Sequence, residues 1–509
     1  MNRLSILFTH LFGSCDTHGY DRANDAHSHA VARNASRFCG SIPDAYPGEA
    51  DATASPCEAF IVRVVSKPLT RRVYVVVLIA MSALSVSSLE AQVSRTERKI
   101  VAAVDEFSVA NIKVWEESVN INSGSMNFEG VYKVGQLYKP LFEALGFTTR
   151  WVDGKEFGRA GHLIAEHIGR QNGKKILLIG HLDTVFEPDS PFQKFSMLND
   201  STAQGPGAGD MKGGNMIMIQ SLQGLHKAGL LKDMNIVAVM SGDEESSGRP
   251  LALARRDLIE AAKWADVAIG FEDGDGMFEH ANISRRSASH WELHVTGVPA
   301  HSSQVFTKDI GAGAIYEASR ILFQFYETLS AEPDLTFNPG VMLGGTAVDY
   351  DDQISGGKAT GKDNIVAKDV VVTGDIRAIS PEQLQKAQEV MTSVVSKHLP
   401  QTQAEIVFGE GYPPLAPTEG NKLLLATFNQ VSQDLGFGEV TAVKPRDAGA
   451  ADISFTSGYV DMALDGVGMR TTGGHTVNEK ADPRSIAWEA KRVAVLLYRI
   501  GSREGSGKK

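Results

Sequence analysis

The chain carries its most reactive-looking pair in the stretch ILLIGHLDTV, where an apolar run over residues 176–179 stops at Gly180 and delivers His181 and Asp183. Side chains two positions apart on extended chain point to the same face. A neutral imidazole is the commonest metal ligand, and a carboxylate two residues on can hold its other ring nitrogen. Alone, His-x-Asp is a weak signal, equally compatible with a solvated polar pair at a strand end. It gains weight because acids and one further His recur downstream: Asp210 in GPGAGDMKGGN, Asp243, Glu244 and Glu245 in SGDEESSG, Glu272 in FEDGDG with Asp273 and Asp275 as rivals, and His475 in GGHTVNE. Two imidazoles and three carboxylates suit a pair of metal ions, one carboxylate bridging and each ion taking one imidazole and one terminal carboxylate. Such ions sit roughly 3.5 to 4 Å apart and bring the pKa of a shared water toward ~7. A neighbouring free acid can then take its proton.

The elements that must position these residues are legible. Runs over residues 176–179, 236–240 and 267–270 have the length and branched content of buried strands, and they alternate with helical patterns. That alternation predicts an α/β fold, a mainly parallel sheet with helices on both faces, and such sheets bind ligands at the carboxyl ends of their strands. The glycines around Asp210 permit a tight backbone; a phosphate loop fits poorly there, because no Gly-Lys-Ser/Thr follows. Three adjacent acids are usually a solvated loop, but at the mouth of a buried strand their repulsion calls for a cation. From residue 288 the pattern changes. Trp291, Leu293 and Val295 alternate with His290, Glu292 and His294, as in a half-exposed antiparallel strand. Residues 288–407 therefore read as a smaller inserted α+β unit, ferredoxin-like in layout, between catalytic-domain halves at 92–287 and 408–500.

Of the 509 residues, 42% are hydrophobic and 22% charged, an ordinary globular composition long enough for two domains. The net charge of -11 argues against nucleic acid as a partner. Cys15, Cys39 and Cys57 are the only cysteines, so the body offers neither disulfides nor thiolate ligands. Residues 1–62 show no sustained period and are read as outside the fold. Lys67, Arg71 and Arg72 precede an apolar run and a small-residue stretch ending at Ala91, which reads as a signal peptide over 63–91 and implies export to a periplasmic or extracellular space. The tail at 501–509 reads as disordered.

Taken in order, GHLDTV, GPGAGDMKGG, SGDEESSG, GFED, GVPAHSS, GDIRA and GGHTVNE resemble the co-catalytic zinc aminoacylase and carboxypeptidase family, which includes glutamate carboxypeptidase, acetylornithine deacetylase and succinyl-diaminopimelate desuccinylase. The resemblance spans about residues 97–499. It implies that Asp210 bridges two Zn²⁺ ions per subunit (another divalent metal being an alternative), with His181 and Glu272 completing one and Glu245 and His475 the other. It further implies that Glu244 is the general base and that Asp183 supports His181. His301, in GVPAHSS, falls where the family has a His that reaches the partner subunit's active site and stabilises the oxyanion. Arg377 and Asn364 match positions that hold a substrate carboxylate. Pro206 stands where many relatives have Arg, as in the glutamate-carboxypeptidase branch, and Ala367 replaces the usual Pro after the Asn motif.

The resulting expectation is a zinc-dependent exopeptidase that cleaves the amide bond next to a free C-terminal carboxylate by a metal-activated water. The resemblance also implies a homodimer formed through the inserted unit. An N-acyl amino acid deacylase with the same metals is the nearest alternative. A non-catalytic exported peptide-binding protein is the more distant one, and binding alone would not require Glu244.

Overall fold

A computed structural model describes residues 93–169, 173–352 and 354–501; the segments read as an unfolded lead, an export signal and the tail beyond Gly501 lie outside these residues. The body opens with α1 (Arg95–Asp105), α2 (Ser108–Asn120) and α3 (Phe128–Glu143). At the start of α1, Ser94 and Glu97 exchange side-chain and backbone hydrogen bonds at 2.7 and 3.1 Å, which satisfies two N-terminal donors at once. Phe107, which continues the apolar spacing of Ile100 and Val104 in the sequence, stands at the N-terminal boundary of α2.

The central sheet is built from β1 (Thr148–Asp153), β2 (Gly161–Ile168), β3 (Lys175–His181), β4 (Asn235–Ser241), β5 (Val267–Gly270) and a late strand, Met462–Leu464, in the order β1-β2-β4-β3-β5 followed by that late strand. Only β2 runs against its neighbours, so five strands share one direction. Helix α4 (Gly214–Lys227) precedes β4, and α5 (Arg256–Trp264) precedes β5. Alternate residues of the strands enter different cores. Ile176, Leu178, Ile236, Ala238 and Met240 pack with α1, α3 and α4, whereas Leu177, Ile179, Val237 and Val239 pack with Leu258 and Ala262 of α5 and with Ile453 and Phe455. A sheet covered on both faces is what the near-continuous apolar runs demand.

The inserted unit is β6 (Ser289–Gly297), α6 (Ala314–Leu329), β7 (Thr336–Gly345), β8 (Asp369–Arg377), α7 (Pro381–Val395) and β9 (Thr402–Phe408). Its sheet is antiparallel in the order β7-β8-β6-β9, the split βαββαβ arrangement. Trp291, Leu293 and Val295 are buried against both helices, and the polar alternates of β6 face the other way. A hairpin at Ala347–Asp351 and Gly356–Thr360, unannounced by any apolar period, extends from this sheet. The body then resumes with α8 (Glu419–Asp434), the late strand, which is β10, and α9 (Arg484–Gly501).

The neighbours β3, β4 and β5 are parallel, so their carboxyl ends lie along one edge. His181 is the last residue of β3, Asp243 to Glu245 follow β4, and Glu272 follows β5. The edge where ligands bind in open α/β sheets thus carries three of the candidate donor groups.

Candidate metal centre

Asp210 stands between the two histidines. His181 Nε2 lies 3.1 Å from Asp210 Oδ1, and His475 Nε2 lies 2.9 Å from Asp210 Oδ2. Glu272 Oε1 is 3.5 Å from His181 Nε2, and Glu245 Oε2 is 3.4 Å from His475 Nε2. Two triplets result, His181, Asp210 and Glu272 on one side and Asp210, Glu245 and His475 on the other; within each, the donor atoms lie within 4.8 Å of one another.

Each donor is aimed by its surroundings. A Cβ at Gly180 would sit 2.3 Å from Asn215 Oδ1, so only glycine lets β3 approach α4 closely enough for Asn215 Nδ2 to donate to the His181 carbonyl at 2.6 Å. His181 Nδ1 is 3.1 Å from the Asp183 carbonyl and 3.4 Å from Asp183 Oδ1. Asp183 is fully buried and accepts from Ser125 Oγ at 2.6 Å and from the backbone N–H groups of Glu244 and Glu245 at 3.0 and 3.1 Å. It therefore orients both the imidazole and the acidic turn. His475 sits at φ 60° after Gly473 at φ 73°, a left-handed turn that swings an otherwise exposed imidazole back to Asp210.

Several supports of the centre carry little or no mark in the sequence. Glu479 accepts from the N–H groups of Gly207, Gly209 and Asp210 at 3.0, 2.9 and 3.2 Å, and burial pushes its carboxyl up to about 7. It lies inside GGHTVNE, and only its spacing from His475 could have drawn notice. Lys212, buried beside Asp210, donates to the Ile121 carbonyl at 2.9 Å. Arg255 is wholly buried between Asp243 at 2.6 Å and Asp452 at 2.8 Å; nothing in the surrounding LALARRD marks it. Asp243 thus points away from the centre. Among the rivals, Asp275 pairs with His280 at 2.6 Å, and Asp273 accepts from Thr471 Oγ1 at 2.5 Å.

The electrostatics ask for cations. Burial, and then the charge of Asp210, push Glu245 well above the usual carboxylate range. Glu272 is raised in the same sense by burial and by Asp210 and Glu244, against the pull of His181. Burial brings Glu244 up to about 8, with His181 opposing and Asp452, Asp210 and Asp183 adding to the rise. For Asp210 burial acts upward too, but the hydrogen bonds from His181 and His475 outweigh it and hold the carboxyl low. Imidazole and carboxylate donors without thiolate suit zinc and similar divalent ions, and the excess of negative charge fits them. Glu244 makes no side-chain hydrogen bond among the described residues and belongs to neither triplet.

His301, Asn364 and Arg377 all lie in the inserted unit, and none of their hydrogen bonds or ion pairs reaches the centre. The His301 ring bonds Ser303 at 2.9 Å, and the Asn364 carbonyl accepts from the Ser302 N–H at 2.8 Å, so these two residues adjoin. Arg377 Nε bonds Asp375 at 3.0 Å.

Residues 177–499 match the model of peptidase family M20/M25/M40. The chain belongs to that family. It is therefore an M20-type metallopeptidase, and its candidate His, Asp and Glu donors fall within the matched region. Carboxypeptidase G2 of Pseudomonas sp. (strain RS-16) is 26% identical over 402 residues, covering 78% of this chain and 91% of that protein. Among solved structures, an M20 metallo-carboxypeptidase from Sulfolobus solfataricus matches with TM-score 0.56 at 16% identity, over 77% of this chain and 99% of the other. A dinuclear metal binding M20 peptidase from Bacillus subtilis matches with TM-score 0.54 at 15% identity, over 78% and 99%. At these identities the two structures speak for the M20 fold.

Proposed function

We propose that this protein hydrolyses the amide bond next to a free C-terminal carboxylate in small peptides, using two zinc ions. The observation that carries the reading is the placement of Asp210, with one carboxylate oxygen toward each histidine, and of Glu244, an acid outside both triplets that feels the charges of His181 and Asp210. His181, Asp210 and Glu272 would hold one ion, and Asp210, Glu245 and His475 the other. Bound there, the pair would polarise the scissile carbonyl and acidify the attacking water. Glu244 takes that water's proton and returns it to the leaving amine, a task open to it because it is the carboxylate of this turn that neither triplet uses and Arg255 does not hold. Asp183 keeps His181 in one tautomer and orientation.

Arg377 and Asn364 recognise the substrate carboxylate, and His301 stabilises the oxyanion of a neighbouring copy's centre, which requires a homodimer formed through the inserted unit. In support, both terminal nitrogens of Arg377 lack a partner among the described residues, leaving its fork for a carboxylate. The similarity to carboxypeptidase G2 favours C-terminal cleavage over deacylation. Export directed by residues 63–91 belongs to the same proposal.

The test is an assay of the zinc-loaded protein against C-terminal glutamyl dipeptides and N-acetyl amino acids side by side. Faster turnover of the dipeptides is expected. Turnover confined to the acetylated amino acids would make the protein a deacylase.

A further inference from the structure

The chain crosses between body and inserted unit twice, out through residues 285–288 and back through 409–415. The crossings form an antiparallel ribbon: Arg285 and Leu415 exchange N–H···O bonds of 3.0 and 2.9 Å, and Ala288 and Tyr412 exchange bonds of 3.1 and 2.9 Å. Any swing of the inserted unit must be absorbed at or beside this ribbon, because hinges are the few connecting residues that take up the φ/ψ change.

Tyr412 sends its side chain from the ribbon to the turn that carries Glu244. Its hydroxyl lies 3.1 Å from the Glu244 carbonyl oxygen and 3.1 Å from Asp452 Oδ1, and it accepts from Arg255 Nη2 at 2.5 Å and from Ser247 Oγ at 3.1 Å. The ring packs edge-on against Phe455 with centroids 4.9 Å apart. Beneath it, Asp243 is held by Arg255 and accepts the Gly248 N–H at 2.8 Å, which closes the acidic turn. Among the described residues the Glu244 carboxylate makes no hydrogen bond of its own, so its direction is inherited from its backbone. That backbone is held at both ends: the N–H donates to Asp183 at 3.0 Å, and the carbonyl shares the one Tyr412 hydroxyl proton with Asp452 Oδ1, each 3.1 Å away. One end is thus fixed to the carboxylate that orients His181 and the other to the hinge.

We propose that Tyr412 is a positioning residue that couples the hinge to the general base, seating Glu244 when the ribbon adopts this geometry and loosening it when the inserted unit swings away. The proposal rests on Glu244 being the base. It differs from a packing role, because the ring alone satisfies packing and only the hydroxyl reaches Glu244.

Tyr412→Phe keeps the ring and removes the hydroxyl. The zinc-loaded variant is expected to lose about 10- to 100-fold in kcat, the scale of a misplaced catalytic group, while KM and bound metal stay at wild-type values and the thermal midpoint falls by only the few degrees that a lost buried hydroxyl costs. In a Glu244→Gln background the same substitution is expected to cost no further rate, because residues that act as a unit are not additive. Wild-type kcat in Tyr412→Phe, with Glu244→Gln inactive, would overturn the coupling alone. So would a further loss of equal size in the double variant, or a fall in thermal midpoint or metal content that accounts for the lost rate. Full activity in Glu244→Gln would overturn the base and the coupling together.

Discussion

The Glu479 carboxylate accepts the backbone N–H of Asp210 at 3.2 Å, joining the loop of His475 to the loop of the carboxylate shared by both triplets. With Gly207 and Gly209 on the same carboxylate, this one side chain sets the path by which Asp210 enters the centre. Replacing it with Gln removes one acceptor oxygen and leaves a backbone donor unmet in a buried loop. Glu479→Gln should weaken metal binding by about 10- to 100-fold, the usual cost of losing a group that orients a ligand. Titration of zinc into chelator-stripped protein measures it; wild-type affinity would show that the glycine loop keeps its shape unaided.

Glu244→Gln is isosteric and lies outside both triplets. It should lower kcat by about 10²- to 10⁴-fold, the range supplied by a positioned proton-transfer group. Elemental analysis of the variant should still find its metal. A variant that turned over at the wild-type rate would move the proton-transfer role to another acid.

Removing the ions should abolish turnover and also lower the thermal midpoint. A ligand that binds only the folded state stabilises it by about 4 kcal/mol at a thousandfold excess over its dissociation constant. The stripped chain, in which Glu245 and Glu272 are each buried against the charge of Asp210, is expected to melt several degrees earlier and to recover with added zinc. An unchanged midpoint would mean that no ion is held there.

Far from the centre, Glu97 receives Arg499 Nε at 2.7 Å and ties α1 to α9. Burial acts to raise its carboxyl, but the bonds from Arg499 and Ser94 prevail and hold it below the usual 4.5. A group lowered on folding stabilises the fold above its unfolded pKa and loses that contribution as pH falls through the folded value. Glu97→Gln should therefore melt earlier than wild type at pH 7, by an effect of about 1.5 to 3 kcal/mol for a hydrogen bond to a charged group. The gap should close on acidification well below pH 4.5. Comparison in chelator keeps metal loss out of the difference; a gap that persisted in acid would assign the effect to packing.

The parallel core was legible because β3, β4 and β5 are buried on both faces and so read as unbroken apolar runs. β1 was not, since Thr148 to Asp153 alternates exposed and half-buried positions at a sheet edge, and neither turn chemistry nor apolar content announces it. Residues at strand ends, such as His181 and Glu272, could be picked out because an acid or imidazole after an apolar run is chemically conspicuous. Arg255, Asp452 and Tyr412 could not, because their significance lies in meeting one another from three distant segments, and each alone looks like an ordinary surface residue. For the inserted unit, the alternation along β6 disclosed its sheet and its buried face. Where the His301 ring points depends on a turn stabilised by its own neighbour Ser303, which no periodicity records.

The ribbon between Ala288 and Tyr412 also makes the inserted unit a removable cassette. Its entry and exit strands are already hydrogen-bonded neighbours, so a short reverse turn could bridge them and leave every donor of the two triplets in the remaining polypeptide. Such a shortened chain would keep the ion-binding core and shed His301, Asn364 and Arg377 in one cut, separating ion capture from substrate choice in a single molecule.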